Sequence, residues 1–302
     1  MTLISVLVSL ALDRAMFTHR DSAVGGWFSR VGTAIAARLP AGMDGVVGAV
    51  IVILPPAVVI AILQGLVDDW LFGLVNLALG VVVLLFALGP LDPTTLIDDY
   101  MDARRLDDHE RSDWYFERLT GESRPASPAV EGRRMVEAVF YQSHDHLFAT
   151  VFWFCVLGPA GAVLYRMAAE IALRPTPAMV ARPGLLSGAR RVLGVLGWIP
   201  ARLIAFGYAM TGSFEEALHR LRHGLRGDGE DLLASNQQLL AETGAAALRR
   251  SPNERDDAAP TEEERRSREP VDAVEGARAL SVRTAVLWLA ILALFTLSGW
   301  IA

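Results

Sequence analysis

The sequence predicts an all-α, polytopic integral membrane protein with four to six membrane helices, some of them proline-broken, and a cytoplasmic helical hairpin. Two observations carry this expectation. The 302 residues are 52% hydrophobic and 21% charged, with a mean hydropathy of +0.34, whereas a soluble domain carries about 25% charge. The apolar residues are also gathered into blocks, five of which approach the about 20 residues that cross about 30 Å of hydrocarbon as a helix.

The blocks follow in order along the chain. Residues 2–12 are apolar up to Asp13-Arg14. They lack a basic lead-in and a small-residue cleavage site, so they read as a short membrane-dipping helix that stays attached, with a basic segment to residue 43. Residues 44–66 and 70–91 form a transmembrane hairpin across the Val67-Asp68-Asp69 link. Residues 92–146 read as the helical hairpin. Leu91-Asp92-Pro93-Thr94-Thr95 starts its first helix, which carries Ile97, Tyr100, Met101 and Leu106, then Trp114, Tyr115 and Leu119, at helical spacing. After a turn with Pro125 and Pro128, a second helix runs from Ala129 into Phe148 and on into the membrane.

Residues 147–211 hold two proline-containing membrane segments, 147–165 with Gly158-Pro159 and 192–211 with Pro200, joined by an Arg-rich connection. Residues 212–283 begin with an amphipathic helix over 214–225. Their stretch 251–275, poor in hydrophobic residues, reads as a disordered tether. Residues 284–302 form the last span.

All 28 basic residues are Arg, and their placement sets orientation. Residues 92–146 hold seven and 212–283 hold eleven, so both are expected in the cytoplasm, with the Arg-free 67–69 link outside. The five Arg of 166–191 would fall outside if both proline-containing segments crossed. The alternative is that these segments are broken helices re-entering from the cytoplasmic side, which requires burial in protein or a wet cavity.

Composition also excludes chemistry. Without Lys there is no phosphate-loop lysine, Schiff-base lysine or protein-kinase site. A single Cys, Cys155, excludes an intrachain disulfide or a cysteine-built zinc or iron–sulfur centre. A net charge of −6 argues against nucleic acid as a partner.

Several polar groups are candidates for a site. His144-Asp145-His146 reads either as metal ligands or as a polar helix end at the interface; two residues apart, the histidines point in different directions on a helix. His219 and His223 have a zinc-clamp spacing, but sit on an ordinary amphipathic helix. Asp102 and Asp108, in an acidic run threaded with Arg104, Arg105 and Arg111, suit either a magnesium nucleotide or an ion-paired soluble face. Arg166 and Arg202 lie at membrane depth, where a charge costs at least about 2.5–3.5 kcal/mol. Arg166 can snorkel; Arg202 calls for a carboxylate such as Asp145 or Glu170, or a polar cavity. A polar membrane site of His144, Asp145, Arg166 and Arg202 is therefore expected.

Four stretches carry a family resemblance: the opening run through Asp13-Arg14; Phe148 to Arg166, with Phe152-Trp153-Phe154 and Gly158-Pro159-Ala160-Gly161; Gly197-Trp198-Ile199-Pro200-Ala201-Arg202-Leu203; and Gly207 to Phe214. Across most of residues 1–225, and again at the last span, the chain resembles the AmpE family. The resemblance implies a multi-pass protein of the bacterial inner membrane that modulates β-lactamase induction under cell-wall stress without catalysis or a cofactor. Its implied partners are the lipid bilayer, other membrane or cell-wall-recycling proteins, and muropeptides.

The same blocks are similar to the CbiB/CobD membrane enzymes of cobalamin synthesis, which implies an alternative: an Mg-ATP-dependent, amide-forming synthetase. Here, however, Arg166 is followed by Met167-Ala168-Ala169-Glu170-Ile171 in place of that family's Asn-Thr-Leu-Asp, and Tyr141-Gln142-Ser143-His144-Asp145 replaces its Glu-Asn-x-x-Asp element. What the likeness then implies is a remodelled polar membrane pocket that adds Tyr165 to Arg166, Arg202 and Asp145. A third reading, a transporter built on broken helices, finds no inverted repeat in its support.

Overall fold

A computed structural model of the protein describes residues 2–16, 26–40, 42–67, 74–88, 93–224, 231–248 and 262–298. The Asp68-Asp69 link, the Leu91-Asp92 cap and residues 251–261 of the expected tether lie outside them. The regular structure of the described residues is all helix, with no strand among them. Four stretches, Gly45–Leu66, Leu74–Arg105, Pro183–Thr211 and Pro270–Thr296, are long and apolar enough to cross a membrane. The chain is a polytopic, all-α membrane protein.

The membrane part begins with α1 (Thr2–Met16), α2 (Gly26–Ala36), α3 (Gly45–Val67) and α4 (Leu74–Leu88). Helix α1 carries a shorter apolar stretch, Leu3–Leu12, than the four above. It lies against α4, where the Ser9 hydroxyl donates to the Val81 carbonyl at 3.3 Å. Exposed Val47, Ile62, Leu66, Leu74 and Val82 give α3 and α4 an apolar outer face, as lipid demands.

The aqueous part starts with α5 (Pro93–Arg105), α6 (His109–Thr120) and α7 (Pro128–Ser143). It is therefore a three-helix unit where a hairpin was expected. The break comes at Asp107, whose φ is +52°, and Asp108 caps α6 by accepting from the Arg111 amide at 3.1 Å. Buried Glu131 ties the unit together: Tyr100 donates to it at 2.7 Å, and Arg104 pairs with it at 3.2 Å.

Helix α7 runs on through a π-turn (His144–Phe148) into α8 (Ala149–Leu157), followed by α9 (Pro159–Leu173), α10 (Pro177–Val180) and α11 (Pro183–Thr211). The expected single segment 147–165 is thus two helices. Gly158, at φ +67° and ψ −157°, adopts a conformation closed to other residues. There the chain folds back, and a Cβ on Gly161 of α9 would collide with the Trp153 carbonyl of α8 and meet Leu157 Cβ at 2.8 Å. Small residues Gly161, Ala162, Ala168, Ala169 and Ala172 let α9 sit buried among α2, α3, α4 and α11.

Of the two readings open for 192–211, the structure has the unbroken helix: Pro200 lies inside α11. Proline removes the amide that would bond the Leu196 carbonyl. Trp153 replaces it, its indole Nε1 donating to Leu196 O at 3.0 Å. Helix α11 also begins earlier than expected, at Pro183. At that end Arg182 pairs with Asp44 at 3.4 Å, and Gly188 packs on Gly45, at the start of α3. At the other end Thr211 hydrogen-bonds Thr284 at 2.8 Å, where the last helix leaves the aqueous unit.

The chain closes with α12 (Phe214–Gly224), α13 (Leu232–Ala247) and α14 (Glu262–Leu297). From residue 262 the expected disordered tether is helix. Val271, Val274, Ala277 and Leu280 recur at helical spacing and are buried, and α14 packs along α7, with Pro270 against Gly132. Helix α13 was not expected; it lies beside α11 with Leu239 and Leu240 buried.

Two outcomes test this architecture by thermal unfolding in detergent. Gly158→Ala should lose about 1–3 kcal/mol, because it forces strain at the fold-back and sets a Cβ 2.9 Å from Gln64 Nε2. Trp153→Phe should lose about 1–3 kcal/mol by leaving the Leu196 carbonyl unpaired.

Candidate functional site

The site forms where α7 enters the membrane part. In the π-turn the Ala149 amide bonds the carbonyl of His144, five residues back. This widens the helix by one residue, a feature that often marks functional positions. Three consecutive polar residues, His144, Asp145 and His146, are buried there. They do not converge. His144 packs by its ring edge against Gly197 of α11, and burial pushes its pKa down to about 4, so it is neutral at pH 7. Asp145 faces α9 and accepts a hydrogen bond from the Tyr165 hydroxyl at 3.0 Å. Among the described residues no group of three or more His, Cys, Asp or Glu could hold a metal ion.

One turn further along α9 lies a second charged group. Arg166 approaches Glu170 at 3.5 Å, and Glu170 also takes Arg174 at 3.4 Å. Arg166 and Glu170 are buried, a burial tolerable only because each charge has its opposite close by. The Arg166 Nε and Nη1 still lack a protein acceptor, so the cluster holds unused donors.

Arg202 is placed elsewhere. It donates to Asn236 Oδ1 of α13 at 3.0 Å, and its guanidinium lies 4.0 Å from the centroid of the Trp198 ring. Where a carboxylate or a polar cavity was expected, it finds an amide and an aromatic face, and so anchors α13 on α11. Asn236 in turn donates to the Gly194 carbonyl at 2.9 Å and lies beside Gly197, the residue that His144 also touches.

Two hollows flank this wall. A polar cavity of about 710 Å³ is lined by Glu117 and Arg118 of α6, Tyr141 and Gln142 of α7, Asp145, Arg174 and Gln237 of α13. Burial raises the Tyr141 phenol above its usual pKa, and the nearby Asp145 adds to the effect. An apolar groove of about 290 Å³ lies between α1, α8, α11 and α14, where Phe148, Phe152, Leu203 and Trp288 line it.

Of the expected residues, the structure joins Asp145, Tyr165 and Arg166 through one charged neighbourhood and sets His144 beside it. Asp102 and Asp108 stand apart from it, the first pairing with exposed Arg105 at 3.3 Å and the second capping α6. Arg174, Asn236 and Gln237 were missed. Arg174 stands one helical turn from Glu170, and the Asp231 cap followed by Leu232, Leu233, Leu239 and Leu240 signals the helix that carries the two amides.

The chain is 36% identical over 103 residues to a cobalamin biosynthesis protein CobD of Chromobacterium violaceum, covering 34% of this chain and 32% of that protein. It is 36% identical over 88 residues to a CobD of Stutzerimonas stutzeri, covering 28% of each. The alignments thus span about a third or less of these curated relatives. No solved structure matches. The family model described as regulatory signalling modulator protein AmpE matches residues 1–301, essentially the entire sequence, and the chain therefore belongs to the AmpE family.

Proposed function

We propose that this protein is a non-catalytic, multi-pass sensor of the bacterial inner membrane that modulates β-lactamase induction under cell-wall stress, with the polar cavity as its sensing site. One observation carries the reading. Asp145 lines the cavity and also holds Tyr165 of the buried fold-back helix. The facing wall, with Glu117 and Arg118, belongs to α6 of the aqueous unit. An occupant would touch both, and its binding energy would bias their relative placement. By the distribution of Arg, the aqueous unit faces the cytoplasm, where other membrane or cell-wall-recycling proteins would read its position. Muropeptides are the signal this role implies.

A second reading follows from the likeness to the two CobD proteins: an ATP-dependent amide-forming synthetase, with Asp102 and Asp108 on magnesium. The placement of those two carboxylates opposes it: Asp102 is paired with Arg105, and Asp108 caps α6.

Two experiments separate the readings. Asp145→Asn and Tyr165→Phe, each expressed in cells lacking the native protein, should abolish the β-lactamase induction response while membrane insertion is retained; full response in both variants refutes the sensing site. In purified protein, millimolar Mg-ATP should leave the melting temperature unchanged. A ligand at 100 times its dissociation constant stabilises by about 2.7 kcal/mol, so a magnesium-dependent rise lost in Asp102→Asn or Asp108→Asn would establish the synthetase instead.

A further inference from the structure

The charges on the cavity wall are balanced: Glu117 and Asp145 against Arg118 and Arg174. A simple anion would satisfy the guanidinium groups and face both carboxylates, and a simple cation would meet the reverse. A metal ion finds no cluster of ligands among the described residues. An occupant carrying one charge of each sign meets neither penalty.

Asp145 is the stronger of the two acidic features. Its side chain is buried, one of its oxygens holds Tyr165, and a carboxylate removed from water binds an ammonium more strongly than one in bulk solvent. Arg174 is oriented by Glu170 and, with five N–H donors on its guanidinium, keeps others free for a carboxylate.

The rest of the wall fits the middle of such a molecule. Gln142 uses its Nε2 on the Leu119 carbonyl at 3.3 Å, which leaves its Oε1 to accept an N–H. Gln237 adds a second side-chain amide, and Leu96 and Leu173 add small apolar surfaces. Amide donors and acceptors alternating with small apolar contacts are what a peptide unit presents. The volume of about 710 Å³ lies within the usual range of about 300–1,000 Å³ for small-molecule sites, more than a single amino acid needs.

We infer that the cavity binds a short peptide as a zwitterion, its ammonium at Asp145 and its carboxylate at Arg174 and Arg118. The inference rests on the cavity being the sensing site and names the chemistry of what it senses.

The test uses the full-length protein in detergent, titrated with dialanine and trialanine while thermal unfolding is followed. The parallel probes are the same peptides acetylated at the amine or amidated at the carboxylate. The free peptides should raise the melting temperature, and blocking either end should weaken binding at least about tenfold, the loss expected for one charge-assisted contact. Arg118→Gln, at an exposed position where folding is undisturbed, and Arg174→Gln should weaken the free peptides and leave the amidated ones unchanged. Equal shifts from free and blocked peptides, or no shift from any of them in folded protein, would overturn the inference. Loss of the induction response in Asp145→Asn without any peptide shift leaves the sensing site standing and removes the zwitterion. A peptide shift in a protein whose Asp145→Asn variant responds fully removes the sensing role and keeps the ligand.

Discussion

The hydrogen bond from Tyr165 to Asp145 joins residues twenty apart in sequence, and it exists because the chain reverses at Gly158. Around that reversal the membrane part is assembled. Helix α9 returns against α8, and its neighbours α3, α4 and α11 are arranged about it. Its buried charges are tolerable only in that enclosure, since hydrocarbon would leave Arg166 and Glu170 unsolvated. The same constraint explains the small residues of α9. Larger ones would hold the neighbouring helices off and admit lipid to the ion pair.

Much of this was legible in the sequence, for a plain reason: hydropathy reports exposure to lipid. The spans at 45–66 and 74–88, with their exposed Val and Leu, announce themselves. Hydropathy is silent on where an apolar helix goes. Gly158-Pro159 and Pro200 read alike as helix breakers, yet only the first breaks, because Trp153 supplies the hydrogen bond that Pro200 removes. That donor lies 43 residues away, and no local pattern points to it. The region 262–275 failed for the opposite reason. Its charges dominated the composition and hid the sparse stripe Val271, Val274, Ala277 and Leu280, which is buried against α7 and its neighbours.

The site was half legible. The charges of Asp145 and Arg166 stand out in an apolar context, and Tyr165 follows from the same block. Arg202 stood out equally as a charge needing a partner. Its partner Asn236 is an amide on a helix that composition alone does not single out. The tie from Arg202 through Asn236 to Gly194 and Gly197 makes that arginine an architectural residue. It seats α13, whose Gln237 then reaches the polar cavity.

The π-turn holds one more residue than an α-turn, so everything beyond it is rotated by about 100° relative to a continuous α-helix. Asp145 looks into the polar cavity, whereas Leu147 and Phe148 look into the apolar groove. The wall between a wet compartment and an oily one is thus a single loosened turn. Tightening it to α-helical pitch would act as a screw, turning the aromatic side chains of α8 within the groove while the aqueous end of α7 stayed in place. Geometrically, the two hollows share one mechanical axis.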